Sequence, residues 1–502
     1  MNDTPAGDPA LRLIYADRRQ LCWTMLDVEL LVGPDDSVRA IWELVGRLDL
    51  SAFASRVGSF EGAAGRPAYD PALLVSLWIY AYSRGIGSAR EIERRLAFDP
   101  GFRWLSGLMI INHYTLSDFR VTHHSALDLL FTQLLATLSA EGLISLETAT
   151  LDGTKIAAQA GSGAFRKEDQ LVKHLALAKE HLSSMGDPRE GLATSRQEAA
   201  QARANRERVE RLEQALDNVR QISADKPAGY GNSHKRQIGA SSSDPQSRIM
   251  RHGAGHYALS DNVQIVTDAS HGIAIGVDIG QTAPDYEYLP AAMRQIEERL
   301  GELPDRLLVD AGYTSRQNIL VAHDMNVELA GPWVQTDGRV KQRFQRAGVV
   351  EAFLPEQFRY DPSSDIYVCP EGKHLTARHS HSARPGRKMI RYQANQNDCW
   401  SCPSRHQCCS SNKRYGRSIV VTQEDPVVSS FRERQTTPEA RGLMRERARV
   451  AEFVNAWLKE KLGLRRFRVR GVQNARAEAT WAILAYNVRQ WIRLRWKPSL
   501  AV

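Results

Sequence analysis

Two short apolar runs, Thr148-Ala-Thr-Leu-Asp152-Gly and Arg306-Leu-Leu-Val-Asp310-Ala-Gly, each end on an aspartate, and they constrain the fold more than any other feature. Both read as short buried strands. Between them, Tyr257–Thr267 and Ile273–Ile279 read as strands joined by the hairpin signal Asp268-Ala-Ser-His-Gly272. A helix (Tyr286–Leu300), the strand Arg306–Val309, a helix (Ser315–His323) and a short strand (Val327–Ala330) follow. This order predicts a mixed α/β sheet with acidic residues on its first and fourth strands. A third acid, Glu452, lies on a late basic helix with Lys459 seven residues on.

The flanking segments differ in kind. From Asp35 to about Ile144 the chain reads as short helices: Ser37–Leu48, Ala72–Ser83 after Asp70-Pro71, Ala89–Ala97, one opened by Asp99-Pro100, Thr115–Arg120 and Ala126–Leu138. Ser88 and Glu91 have capping-box spacing. Such a bundle suits a helix-turn-helix-like DNA reader, and equally a dimerisation or scaffold domain. After Phe165, Ala202, Val209 and Leu216 recur every seven residues, interleaved with Leu212 and Val219. That pattern predicts an amphipathic hairpin or short coiled coil, packed on its own domain or against another chain.

Residues 331–430 interrupt the α/β pattern. They carry Cys369 and His374, then Cys399, Cys402, Cys408 and Cys409. Thiolates two residues apart suit tetrahedral Zn²⁺, with Cys369 and Cys408 or Cys409 completing the shell and His374 in reserve. Reduced structural cysteines in a basic loop are the alternative.

A length of 502 residues suggests two to four units at about 150 residues each. The organisation expected is a helical part over 1–145, an α/β part over 146–345 with a helical insertion at 165–225, a cysteine-rich zinc-ribbon-like insertion over 346–430, and a return to the α/β part over 431–502. The net charge of +8 is modest, but fifteen basic residues between Arg441 and Lys497 are opposed only by Glu446, Glu452, Glu460 and Glu478. A solvated helix face would mix the signs, so this tail reads as a phosphate-contacting surface. No run approaches a bilayer span, the first residues lack signal-peptide character, and the cysteines do not form a secreted disulfide pattern. A cytoplasmic protein is expected.

Asp152, Asp310 and Glu452 suit one chemistry. Close carboxylates repel unless cations neutralise them, and hard oxygen ligands favour Mg²⁺ or Mn²⁺. Two such ions about 3.5–4 Å apart activate the attacking oxygen and stabilise the leaving oxygen of a phosphodiester. Singly, an Asp after a strand is ordinarily a cap or turn residue. Asp268, Asp278 and Asp285 are weaker alternatives for the acidic set, most simply read as turn and helix-start residues. Lys155 reads either as a phosphate contact or as a surface lysine.

From about residue 35 to residue 495, the chain resembles bacterial insertion-sequence transposases of the DDE class. The resemblance rests on Gly65-Arg-Pro-Ala-Tyr-Asp-Pro-Ala-Leu-Leu, Tyr82-Ser-Arg-Gly-Ile-Gly-Ser-Ala-Arg-Glu-Ile-Glu, Thr115-Leu-Ser-Asp-Phe-Arg120, Leu151-Asp152-Gly-Thr-Lys155, Val309-Asp310-Ala-Gly-Tyr313 and the E-x6-K pair Glu452 and Lys459. Arg445 stands where the family motif has Tyr, and Ala448 where it has Arg; Arg447 and Arg449 flank that position. Glu460 and Glu478 are rivals for the third acid, and Arg476–Arg489 is similar to the family's closing helix. The resemblance implies a ribonuclease H-like catalytic domain with Asp152, Asp310 and Glu452 as catalytic Mg²⁺ or Mn²⁺ ligands. It implies DNA contacts by Lys155, Tyr313, Arg447, Arg449 and Lys459, double-stranded transposon ends and target DNA as partners, and a dimer or larger assembly. A nuclease without strand transfer and an inactive DNA-binding relic are the competing readings.

Overall fold

The computed structural model describes residues 25–55, 67–184, 196–224, 238–333, 342–409 and 415–497, apart from positions 254, 283, 343, 385, 386 and 424. Gly65 and Arg66 of the N-terminal motif, and the ends of the expected 1–145 and 431–502 parts, lie outside the described residues.

The N-terminal helices form where the sequence places them. Asp36, Asp70, Asp99 and Asn112 each accept a backbone N–H at a helix start, opening Ser37–Val45, Pro71–Ser83, Pro100–Ser106 and His113–Thr122. The expected capping box is only half made. Ser88 Oγ accepts Glu91 N–H at 3.4 Å, but Glu91 itself is taken by Arg94 and Arg95.

The main sheet has six strands. In chain order its strands and the small pair beside it are β1 (Thr148–Ala157), β2 (Phe165–Arg166), β3 (Ala240–Ser241), β4 (Arg248–Arg251), β5 (Tyr257–Asp268), β6 (Ala274–Gly280), β7 (Arg306–Val309) and β8 (Glu328–Ala330). The order is β4-β5-β1-β7-β8, with β6 also paired to β5, while β2 pairs with β3 alone. β5 is antiparallel to β1, β4 and β6; β1, β7 and β8 are parallel.

One buried cluster runs from Val32 through the N-terminal helices and the sheet to Trp491. The last helix, Val472–Leu494, joins the two halves: it packs on the Pro71–Ser83 and His124–Ala140 helices and on β6. Its fully buried Asn487 accepts Ala274 N–H at 2.9 Å and donates to Ala274 O at 2.7 Å. The edge strand β6 thereby finds backbone partners on a helix side chain.

Helices Glu168–Ser184 and Arg196–Ala224 form an antiparallel hairpin, pinned by Lys179–Glu213 and Arg220–Glu168. The heptad residues Val209 and Leu216, with Leu212 and Val219, bury against Leu171 and Ala178 of the first helix. The seam is thus filled from within the chain.

The cysteine-rich segment is built on a five-stranded antiparallel sheet that the sequence reading did not foresee. Its strands are β9 (Arg359–Asp361), β10 (Ile366–Val368), β11 (His374–Arg384), β12 (Arg387–Ala394) and β13 (Ser418–Gln423). Cys399 and Cys408 join Leu375, Tyr392 and Ile419 in its small core.

Candidate active site

The register of β1 against β7 pairs Leu151 with Val309. The next residues, Asp152 and Asp310, therefore stand beside each other on adjacent strands, which lie about 4.8 Å apart. The two differ locally. Asp310 follows the last residue of β7, and its Oδ1 accepts Gly312 N–H at 2.7 Å. Asp152, read from sequence as ending its strand, lies in mid-strand because β1 runs on to Ala157.

The helix Pro438–Glu460 crosses this point and engages both oxygens of Asp152. Arg447 Nη2 donates to Oδ1 at 2.8 Å, and Asn455 Nδ2 donates to Oδ2 at 2.7 Å. Burial pushes the Asp152 carboxyl above its ordinary pKa, and the charges of Asp310 and Asp285 push the same way, against Arg447. Burial is the largest of these causes.

Asp285 is the acid that sequence reasoning undervalued. Its sequence context suggests a helix start, but the helix begins at Leu289 and Asp285 turns into the pocket. It accepts from Lys155 Nζ at 3.1 Å, Asn262 Nδ2 at 2.7 Å and Gln264 Nε2 at 3.1 Å. A Cβ on Gly153 would fall 2.6 Å from Asp285 Oδ1, and one on Gly312 would lie 3.5 Å from its Oδ2. Glycines just beyond Asp152 and Asp310 were the available signal that something packs closely there.

The other candidate acids are committed elsewhere. Asp268 accepts the Ser145 and Leu146 N–H groups. Asp278 faces Arg476 at 3.4 Å, and Glu460 pairs with Arg465. Glu478 is buried, lies 3.8 Å from Arg120 and accepts Arg468 N–H. Glu452 is exposed and does not bond Asp152. It lies on the crossing helix between Arg447 and Asn455, about 60° around the axis from Asn455 at 100° per residue.

Of the expected DNA contacts, Tyr313 is corrected. It is fully buried and donates its hydroxyl to Gln264, so it builds the pocket wall and has no surface to offer a strand. Arg447 is spent on Asp152 and Lys155 on Asp285. Arg449 is exposed. Lys459 is half-buried: burial and the nearby charges of Arg465 and Lys155 lower its pKa, with Asp152 opposing.

Among the described residues, no three His, Cys, Asp or Glu side chains gather closely enough to hold a metal ion. Several of the expected cysteines come together. The thiol of Cys409 hydrogen-bonds with those of Cys399 and Cys408, and Cys369 acts electrostatically on Cys408. All five described cysteines are free. No helix of the described residues is long and apolar enough to cross a membrane.

Comparison with known families gives the class. Residues 27–122 match the family described as "Transposase domain (DUF772)", and residues 368–492 match "Transposase DDE domain". These matches indicate an insertion-sequence transposase of the DDE class. The second match contains Glu452 and Lys459, and Asp152 and Asp310 lie between the two. No curated protein matches the chain.

Proposed function

We propose that this transposase binds insertion-sequence ends and carries out divalent-metal-dependent cleavage and strand transfer at Asp152, Asp310 and Glu452. The observation that carries the reading is the placement of Asp152 and Asp310 side by side on paired parallel strands, beneath the helix that bears Glu452. The sheet order, with three antiparallel strands on one side and two parallel strands on the other, is what a ribonuclease H-like domain would have.

The donors suit a hard cation. Asp152, Asp310 and Asp285 offer only carboxylate oxygens, with Arg447, Lys155 and Lys459 around them. Mg²⁺ or Mn²⁺ held by Asp152, Asp310 and Glu452 would supply Lewis-acid polarisation of the phosphodiester. Around it, Arg447 and Asn455 fix the orientation of Asp152, and Asp285 holds Lys155 toward the pocket. Lys459 and Arg449 contact phosphates. The N-terminal helices read the transposon end, two protomers bring two ends together, and the protein works in the cytoplasm.

A structural Zn²⁺ would sit among Cys369, Cys399, Cys402 and Cys408. Backbone N–H groups of Lys373 and Arg417 lie 3.2 Å from the sulfurs of Cys369 and Cys399, the outer bonds that steady thiolates. Metal content per chain tests it.

The main test is Mg²⁺-dependent cleavage and joining of duplexes carrying the DNA that borders the reading frame. Asp152→Ala, Asp310→Ala and Glu452→Ala should each lose activity on the order of a thousandfold, about 4 kcal/mol. Full activity in any one removes that residue from the assignment. The double engagement of Asp152 by Arg447 and Asn455 favours a second reading, a DNA-binding relic without chemistry. End binding without cleavage under any divalent ion supports that reading.

A further inference from the structure

A groove of about 540 Å³ lies away from the carboxylates, between the N-terminal helices and the loop that follows the Glu452 helix. Its charged lining is Arg90, Arg120, Arg465, Arg466 and Arg468, with His113 and Tyr114 at one wall and no carboxylate among the lining residues. The nearby acids are already occupied: Glu93 by His113, Glu91 by Arg94 and Arg95, Glu460 by Arg465, and Glu478 beside Arg120.

The groove is built, not merely basic. Arg466 is anchored on the carbonyls of Ala158 and Ala160, and Arg120 on Gly87 O and the Tyr82 hydroxyl. A Cβ on Gly87 would fall 2.7 Å from Arg468 Nε, so the bare glycine lets that guanidinium lie against the floor. Arg120 is 5% exposed, yet its Nε has no partner among the described residues, and neither has His113 Nε2. Anchored guanidinium groups in a cleft lined by no carboxylate suit an anion.

The groove also has a fixed position relative to the pocket. Phe467 N–H donates to Ala157 O at 2.8 Å, and Ala157 N–H to Arg465 O at 3.2 Å, strapping the loop to the end of β1. Ala157 is five residues beyond Asp152, about 17 Å along a strand at ~3.3 Å per residue. At about 3.4 Å per base step, that is about five base pairs of duplex. Lys459, acted on by both Asp152 and Arg465, stands between the two sites.

We infer that this groove clamps the phosphate backbone of duplex DNA about five base pairs from the position held at Asp152 and Asp310. The inference rests on the DNA-processing reading above and adds a second, sequence-independent contact site to it.

The test is binding of a fluorescent 30-bp duplex of arbitrary sequence over a NaCl series. The comparison is between the wild-type chain and the exposed double variant Arg90→Gln/Arg468→Gln, with Arg39→Gln as a control on another surface. Each lost phosphate contact lowers the steepness of log K against log salt by about 0.9. The double variant should therefore flatten the slope by about 1.8, with the control and the thermal melting unchanged. A second duplex with methylphosphonates five base pairs from the cleavage position should weaken wild-type binding and leave the double variant indifferent. An unchanged slope in a variant that melts normally, while the wild type binds and cuts, overturns the groove alone. A wild-type chain that binds no duplex at any salt overturns the groove and the DNA reading together.

Discussion

Asn455 donates to Asp152 Oδ2 at 2.7 Å, three residues along the helix from the exposed Glu452. The bond ties the late basic helix to the middle of β1 across some three hundred residues of chain. It also fixes which way the Asp152 carboxylate faces. Outer residues that orient a metal-binding carboxylate typically matter by 10–100-fold. Asn455→Ala should therefore lower Mg²⁺-dependent cleavage by about that factor with little change in duplex affinity, measured by single-turnover assays across a Mg²⁺ titration. Wild-type rates at every Mg²⁺ concentration would show that this bond does not position the site.

Gly153 has no room for a side chain. A Cβ there would come within 2.6 Å of both Asp285 Oδ1 and Gln264 Nε2. Gly153→Ala should destabilise the fold by about 1–3 kcal/mol, the usual cost of overpacking. Pairing it with Asp285→Ala should recover part of that loss. Urea denaturation of the two variants reads the difference, and no recovery in the pair would mean that Asp285 is not the obstacle.

Arg120 is held between aromatic and acidic partners. Its guanidinium lies 4.7 Å from the Trp78 ring centroid and 3.8 Å from buried Glu478. Arg120→Met removes that charge and leaves Glu478 without its closest cationic side chain, a change that typically costs about 3–5 kcal/mol. Adding Glu478→Gln should return much of the loss. Independent, additive effects in the double-mutant cycle would contradict the coupling.

Asp261 gives the fold a pH dependence. It is 3% exposed, and burial, then the charge of Asp244, push its pKa up to about 7, with Arg248 opposing. Unfolded, the carboxyl titrates near 4. Between those values the folded chain holds the extra proton, so this group's contribution is fully present below about pH 4 and is lost as pH rises through about 7. Asp261→Asn should gain stability relative to wild type on going from pH 5 to pH 8, by on the order of 2–3 kcal/mol. Equal differences at the two pH values in chemical denaturation would remove Asp261 as the cause.

The sequence revealed most where chemistry and periodicity agreed. The β1 and β7 runs each place an acid after an apolar stretch, and parallel pairing of Leu151 with Val309 brings those acids level. Asp285 ranks low in the sequence because Pro284-Asp285 before a helix looks like an ordinary start, and only tertiary contacts show its direction. The sheet from β9 to β13 was illegible for a different reason. β11 reads His-Leu-Thr-Ala-Arg-His-Ser-His-Ser-Ala-Arg, and among its residues with described side chains only Leu375 enters that sheet's small core. A strand with so thin an apolar face carries little period-two signal. The half-made capping box at Ser88 shows local competition: Glu91 takes two arginines, whose hydrogen bonds hold its pKa down to about 2.

The helix Val472–Leu494 lies some four hundred residues beyond Pro71–Ser83, yet it closes the core begun there and covers the edge of β6. Neither half can bury its apolar face until that helix is in place. A copy interrupted before Val472 would thus leave apolar surface bare in both halves at once, and would be poorly placed to linger as a competitor of intact copies.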